Sequence, residues 1–532
     1  MVKNLLRNKN VQTVIFFGCF IALFLLYQYH TILFLRPQSI HQFRQTICTS
    51  ITLNYYEHGM KFFIPEVHNL FSDAGTSGQS YAEFPIIYYF NAVLWKIFGV
   101  HEYIPRLINV LICLLGSFYL FKLLQRILSF SWALIISLLL FTSPVIAFYA
   151  NNFLVDIPIL YICFISIFYF FNYYEFKKEK DLYIFIFLSL LCMLLKPSGG
   201  TFFVAVIGLF ILEKFNIVRF EKQIFTGTLI PIILFAVITT ITVTWYVCGD
   251  YFNSIHGGHY TWGAYPIWRL DEKKIHSILI DFSEGGFLQF FSPATTFVLL
   301  FILICVFLSY KKINKFYFTL TILLLLGALA HALFWFELLH VHDYYMFIFF
   351  LPVVFIFISI GNYIKVNHPS LFYSMKTNIV FSIFLLINIW YCSHNICMRY
   401  GIKTTQTPFM ETRAEIGLWN WYSWNYNCTG KAYETIEPYN RKLGIKPDDK
   451  VISFPDESLC ISLYLMNQKG WNEYGNKYLE RDDIKEKISL GAKYLFLSDT
   501  TLAKNSFVKP YTQNKIGQYK NVAVYSLHPP EL

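Results

Sequence analysis

Of the 532 residues, 56% are apolar and only 14% are charged, against about 25% charged in a soluble globular domain. That balance excludes a chain built only of soluble domains, and it leaves room for a large membrane domain plus one small soluble one. The formal net charge of +10 is dispersed in short basic clusters between apolar runs, a pattern that fits membrane topology and not a nucleic-acid surface.

A spanning helix needs about 20 mostly apolar residues. Eleven such runs are read along the chain: 11–34, 103–124, 129–149, 155–174, 182–198, 200–215, 224–247, 292–310, 316–337, 343–363 and 377–396. The first follows Lys3, Arg7 and Lys9, is too long for a signal-peptide core and lacks a small-residue cleavage site, so it reads as a retained helix. With the N-terminus in the cytoplasm, alternation puts a basic group in every inner segment, among them Lys122/Arg126, Lys177/Lys178/Lys180 and Lys311/Lys312/Lys315. The same alternation places the tail outside the cytoplasm.

Two outer loops are long, about 36–102 and 249–291. The first holds a helical stretch at 40–58 too polar to span, and a short apolar one at 83–99. Both suit the membrane interface. The tail is different: IKPDDKVISFPDES reads as turn, strand and loop, SLCISLYLM as a helix, and YLFLSD and VAVYSL as strands. The expectation is a membrane domain over 1–400 and a small extracytoplasmic α/β domain over 401–532. The eleven cysteines contain no CxxC pair and show no zinc or redox pattern. Cys428 and Cys460 lie in the tail and could pair if it is extracytoplasmic, a pairing that spacing alone does not show.

The ionisable residues beside apolar runs collect on the outer side: Arg44, Glu83, Asp156, Lys196, His342 and Asp343. Charge near a bilayer is costly, so such residues usually face a cavity or one another. Each has a plainer reading as well. Glu83 precedes Phe84-Pro85 and suits a helix cap; Asp156 suits a helix N-terminus; Lys196 suits snorkelling. His342-Asp343 with Tyr344-Tyr345 suits an interfacial anchor, and Arg44 suits lipid headgroups.

Five segments, in order and on one side, carry a resemblance: HQFRQTICTSITLNYYEHG (41–59), EFPIIYYFNAVLWKIFGVHEYIPRLINV (83–110), SPVIAFYANNFLVDIPILY (143–161), LLKPSGG (194–200) and HDYYMFIFFLP (342–352). They resemble the bacterial branch of the dolichyl-phosphate-mannose protein mannosyltransferases and their relatives that add aminoarabinose to lipid A, which are GT-C glycosyltransferases of the family 39 type. The resemblance implies a polyprenyl-phosphate sugar donor, such as an undecaprenyl phosphate, used at the outer face of a bacterial inner membrane. It implies transfer with inversion to a lipid, glycan or protein acceptor. Glu83 then becomes the first candidate for the base or acceptor-orienting group and Asp156 the second. Arg44, Lys196, His342 and Tyr345 become candidates for the donor phosphate. Asp343 is a candidate to orient His342 or, with it, to hold a divalent metal. The chain departs from the family at Arg44–Ile47, where relatives carry an acid and this sequence reads Arg-Gln-Thr-Ile. Two other readings stand beside this one: a surface-polysaccharide ligase or polymerase using a diphosphate-linked donor, and a lipid or small-molecule transporter. The lack of a clear internal repeat and the one-sided polar set weigh against transport.

Overall fold

The computed structural model describes residues 8–258, 264–283, 289–401 and 430–528. Cys428, one half of the possible Cys428–Cys460 pair, lies outside them. The chain divides into two compact units.

The first unit comprises Met1–Leu33, Arg106–Trp245 and Gly263–Ile416 and is helical. Among the described residues, eight helices of the chain are long and apolar enough to cross a membrane: Lys9–Leu26, Tyr103–Ile127, Asp156–Phe176, Pro197–Lys214, Leu229–His256, Lys315–Phe334, Asp343–Asn367 and Met375–Arg399. A ninth arises if Phe130–Leu140 and Pro144–Ala150, bent by 75° at their junction, form one span. The remaining two of the eleven expected runs are helices of 17 and 16 residues, Glu179–Leu195 and Pro293–Leu308. At 1.5 Å per residue the latter is about 24 Å long, short of the roughly 30 Å hydrocarbon core.

The 75° bend has a local cause. Pro144 stands at the first position of its helix and has no N–H to continue the preceding ladder. Carbonyls near the break find side-chain donors instead: the Tyr27 hydroxyl donates to Phe141 O at 3.0 Å, and Tyr29 donates to Ala147 O. Both tyrosines are fully buried, so their hydroxyls satisfy backbone that lipid would leave bare.

The second unit comprises Phe34–Pro105, Tyr246–Trp262 and Gly417–Leu532. Its tail forms a five-stranded sheet: β1 (Lys450–Phe454), β2 (Gly470–Trp471), β3 (Ala492–Leu497), β4 (Lys515–Tyr519) and β5 (Val522–Ser526). The order is β2-β1-β3-β5-β4. β1 is parallel to β2 and β3, while β5 runs antiparallel to β3 and β4. Ile452, Phe454, Trp471, Leu495, Leu497 and Ala523 build its core, and Leu70 of the 36–102 loop joins them.

That loop is therefore part of the sheet's edge. Asn69 bridges Gly470 in parallel; Leu70 N donates to Gly470 O at 2.8 Å, and Gly470 N to His68 O at 3.1 Å. Gly470 is required by this close approach, since a Cβ there would fall 1.8 Å from Val451 O. His68 lies buried beneath the bridge. Its Nδ1 is 2.7 Å from Ser50 Oγ and 3.3 Å from Asn54 Nδ2, which donates, while Nε2 is 3.4 Å from Asn467 Oδ1. A donor at Nδ1 and an acceptor at Nε2 select the neutral ring with its proton on Nε2.

A second tie in this unit centres on Arg36. Its guanidinium pairs with Glu102 at 3.0 Å and donates to Glu434 O at 2.8 Å and Leu465 O at 2.9 Å. The Tyr464 hydroxyl donates to the same Glu102 at 2.6 Å. The interfacial stretches appear as the helices Gln42–Glu57 and Ile86–Phe98.

Candidate active site

In the first unit, five of the residues singled out from sequence come together. Asp156 opens the helix Asp156–Phe176 and is 2% exposed. Lys196 follows the helix Glu179–Leu195 in an extended conformation (φ −162°, ψ 129°), as a residue before proline prefers. The extended residue ends the helix, and Lys196 forms an ion pair with Asp156. Its ammonium also lies 3.7 Å from the Tyr345 ring centroid and 5.1 Å from that of Tyr344. A carboxylate at one side and aromatic faces at another fix a cation that would otherwise be mobile.

The two tyrosines belong to a 3-10 turn, Asp343–Phe349, and stack on each other at 5.0 Å. The His342 ring packs against both, with centroids 5.3 and 5.5 Å away. Asp343 has other partners than the expected ones. It accepts from the Tyr149 hydroxyl and pairs with Arg399 at 3.2 Å. Arg399 in turn donates to Gln289 Oε1 at 2.7 Å and lies 4.9 Å from the Phe148 ring centroid. Tyr149 and Tyr344 meet edge to face at 5.7 Å, so the two ion pairs belong to one continuous polar and aromatic cluster. Among the described residues there is no group of three or more His, Cys, Asp or Glu side chains placed to hold a metal ion.

Sequence reasoning missed Arg399 and Tyr149 in this cluster. Arg399 ends an apolar helix and looks like an interfacial anchor. Tyr149 sits inside an apolar run. A second buried cation, Arg106, was also missed: it is 0% exposed and donates to Asn151 O at 2.6 Å and Tyr400 Oη at 3.2 Å.

In the second unit, Arg44 and Glu83 form a buried ion pair, their side chains 8% and 13% exposed. Arg44 lies in the helix Gln42–Glu57, and Glu83 precedes Ile86–Phe98. The capping reading of Glu83 is not what the structure contains: Pro85 occupies the N-cap, with no side-chain cap bond. The second carboxylate oxygen of Glu83 is buried and, among the described residues, accepts no hydrogen bond. In the helix that carries Arg44, Gln45 and Thr46 are engaged with backbone carbonyls. Gln45 donates to Gln38 O and Ile40 O at 2.6 and 2.9 Å, and Thr46 donates to Phe43 O at 2.9 Å.

Residues 82–246 match the family model of dolichyl-phosphate-mannose-protein mannosyltransferases, a span that includes Glu83, Arg106, Tyr149, Asp156 and Lys196. A search of the curated proteins finds no match. Over nearly its whole length the chain is similar in structure to ArnT from Cupriavidus metallidurans. The apo form is 11% identical, with 98% of this chain and 99% of that chain covered and a TM-score of 0.56. The form bound to undecaprenyl phosphate is 9% identical over the same shares, with a TM-score of 0.57. The oligosaccharyltransferase of Archaeoglobus fulgidus aligns more loosely, at 10% identity, 95% and 74% coverage and a TM-score of 0.46, too low to bear on the fold. The chain thus shares the fold of ArnT over nearly its whole length, and the mannosyltransferase model matches it across the Glu83 and Asp156–Lys196 segments.

Proposed function

We propose that the protein transfers a sugar from a polyprenyl-phosphate donor to a lipid, glycan or protein acceptor at the outer face of a bacterial inner membrane, with the N-terminus cytoplasmic and the C-terminal domain extracytoplasmic. The observation that carries this reading is the Asp156–Lys196 pair set on the Tyr344 and Tyr345 rings. It is a pre-aimed cation inside the segment that matches the mannosyltransferase model. The similar ArnT binds undecaprenyl phosphate, which supplies the donor class.

In the reaction, an acceptor hydroxyl oxygen attacks the anomeric carbon. The bond from that carbon to the phosphate oxygen breaks, and its electron pair leaves with the phosphate. Lys196 has three N–H donors, so it can keep Asp156 and still meet a phosphate oxygen as charge develops there. Tyr345 borders the same cation, and His342, packed on the Tyr345 ring, joins it on the donor side. Glu83 receives the acceptor proton through the carboxylate oxygen that Arg44 leaves unoccupied. Asp156 orients Lys196. Asp343, paired with Arg399 and accepting from Tyr149, holds the Asp343–Phe349 turn.

The test uses purified full-length protein and polyprenyl-phosphate sugars carrying a radiolabel. Lys196→Met is expected to lower transfer by about 100- to 1,000-fold, the loss typical of a preorganised charge-stabilising donor. Glu83→Gln is expected to lower it by about 100- to 10,000-fold, the range of general-base removal. Wild-type rates in both variants would sink the assignment.

A further inference from the structure

Between Lys315 and Glu337, in the largely apolar helix Lys315–Phe334 and just beyond it, His331 is the one Asp, Glu, Lys, Arg or His residue. An ionisable side chain inside a span is retained against a cost, and this one is 5% exposed. Its Nε2 lies 3.1 Å from the Tyr345 carbonyl oxygen. A carbonyl only accepts, so Nε2 carries the proton and donates. The ring itself is fixed: it stacks on Trp335 at 4.9 Å and 20°, and meets the Phe349 ring edge to face at 6.2 Å.

The carbonyl it holds belongs to the residue whose ring supports Lys196. The Asp343–Phe349 turn is 3-10 in type, a form with poorer internal hydrogen bonds than an α-helix. External ties therefore set its position. One is Asp343, held by Tyr149 and Arg399. Another is the His331 bond at Tyr345. A displacement near 1 Å at a site for charge recognition is costly.

We propose that His331 is a positioning residue for the donor-phosphate site, acting through the Tyr345 carbonyl to hold the aromatic seat of Lys196. The inference rests on the reading that Lys196 meets the donor phosphate. The plainer alternative is a core histidine that merely satisfies itself. The two differ in what they spoil: a packing role affects stability, whereas a positioning role affects phosphate binding at equal stability.

The experiment measures binding of undecaprenyl phosphate to the full-length protein in detergent, together with the thermal unfolding midpoint of each ligand-free variant. His331→Phe keeps a ring against Trp335 and loses the N–H. His331→Gln restores an N–H near the Nε2 position. Expected is binding weakened about five- to tenfold in His331→Phe, as for one lost hydrogen bond. Expected also is binding within about twofold of wild type in His331→Gln, with similar midpoints for the two. Should His331→Phe fail to fold, His331→Asn replaces it, being too short to reach the carbonyl. Unweakened binding in His331→Phe, or equal binding in His331→Asn and His331→Gln, overturns the inference if Lys196→Met still weakens binding. If Lys196→Met binds as wild type, the reading of the Lys196 site falls first and the inference falls with it.

Discussion

Lowering the pH from 7.5 to 4.5 puts a defined load on one residue of the second unit. His68 is 2% exposed, and burial, aided by the charge of Lys469, pushes its pKa down to about 3 from 6.5. The folded segment therefore keeps a neutral ring over the whole range, while an opened segment takes up a proton below pH 6.5. Because the opened state binds more protons, stability falls as pH falls; it is fully present above 6.5 and is lost progressively down to about 3. Each pH unit in that window costs about 1.4 kcal/mol, so the segment loses about 2.7 kcal/mol between pH 7.5 and 4.5. The assay is hydrogen exchange at the Leu70 and Gly470 amides, which donate across the bridge above His68. Corrected for intrinsic rates, their protection should drop about tenfold per pH unit below 6.5. His68→Gln, with no group titrating there, should abolish that slope. Protection independent of pH in the wild type, or an equal slope in His68→Gln, would refute the reasoning.

Three further outcomes follow from the same geometry. Arg36→Met strands Glu102 and two backbone carbonyls; since the arginine side chain is 30% exposed, the loss should be about 2–3 kcal/mol, read as faster proteolysis in the 430–470 segment. Gly470→Ala sets a Cβ against the Val451 carbonyl and should release β2 and the Asn69 bridge together, seen as lost protection at Leu70 with β3 and β5 unchanged. Asp343→Asn leaves the Arg399 guanidinium buried without its counter-charge and should cost about 3–5 kcal/mol. Adding Arg399→Gln should recover part of it, and a double-mutant cycle with no coupling would contradict the pairing.

The spans were legible because lipid imposes length and apolarity on a single continuous stretch. The bend inside 129–149 was signalled by Ser143-Pro144, yet a hydropathy window averages across it. In the tail, VISF, YLFLSD and VAVYSL were readable as β1, β3 and β5 because apolar residues dominate buried strands. The two-residue β2 was not readable, since it is defined by its partners, and β4, with Gly517 and alternating exposure, gave a weak pattern. The site was legible as a list of residues and not as a set of pairs. Asp156 and Lys196 stand 40 residues apart, and nothing local tells which carboxylate meets which cation. Asp343 was read beside its sequence neighbour His342, and its contacts with Tyr149 and Arg399, set by helix packing, were not foreseeable. The joining of the 36–102 loop to the tail's sheet was likewise invisible, because it is made by contacts of Asn69 and Leu70 with residues about 400 positions away.

The central claim, sugar transfer from a polyprenyl phosphate with Glu83 taking the acceptor proton, is tested most directly by mass spectrometry of envelope lipids and glycans. The strains are wild type, a deletion, and the deletion complemented with wild-type protein or with Glu83→Gln at matched expression. The account predicts that one sugar disappears from an acceptor in the deletion, that its polyprenyl-phosphate form accumulates, and that wild-type protein but not Glu83→Gln restores the acceptor. Unchanged glycans in the deletion, with a lipid or solute held on one side of the membrane, would contradict transfer; full restoration by Glu83→Gln would remove that carboxylate from the chemistry.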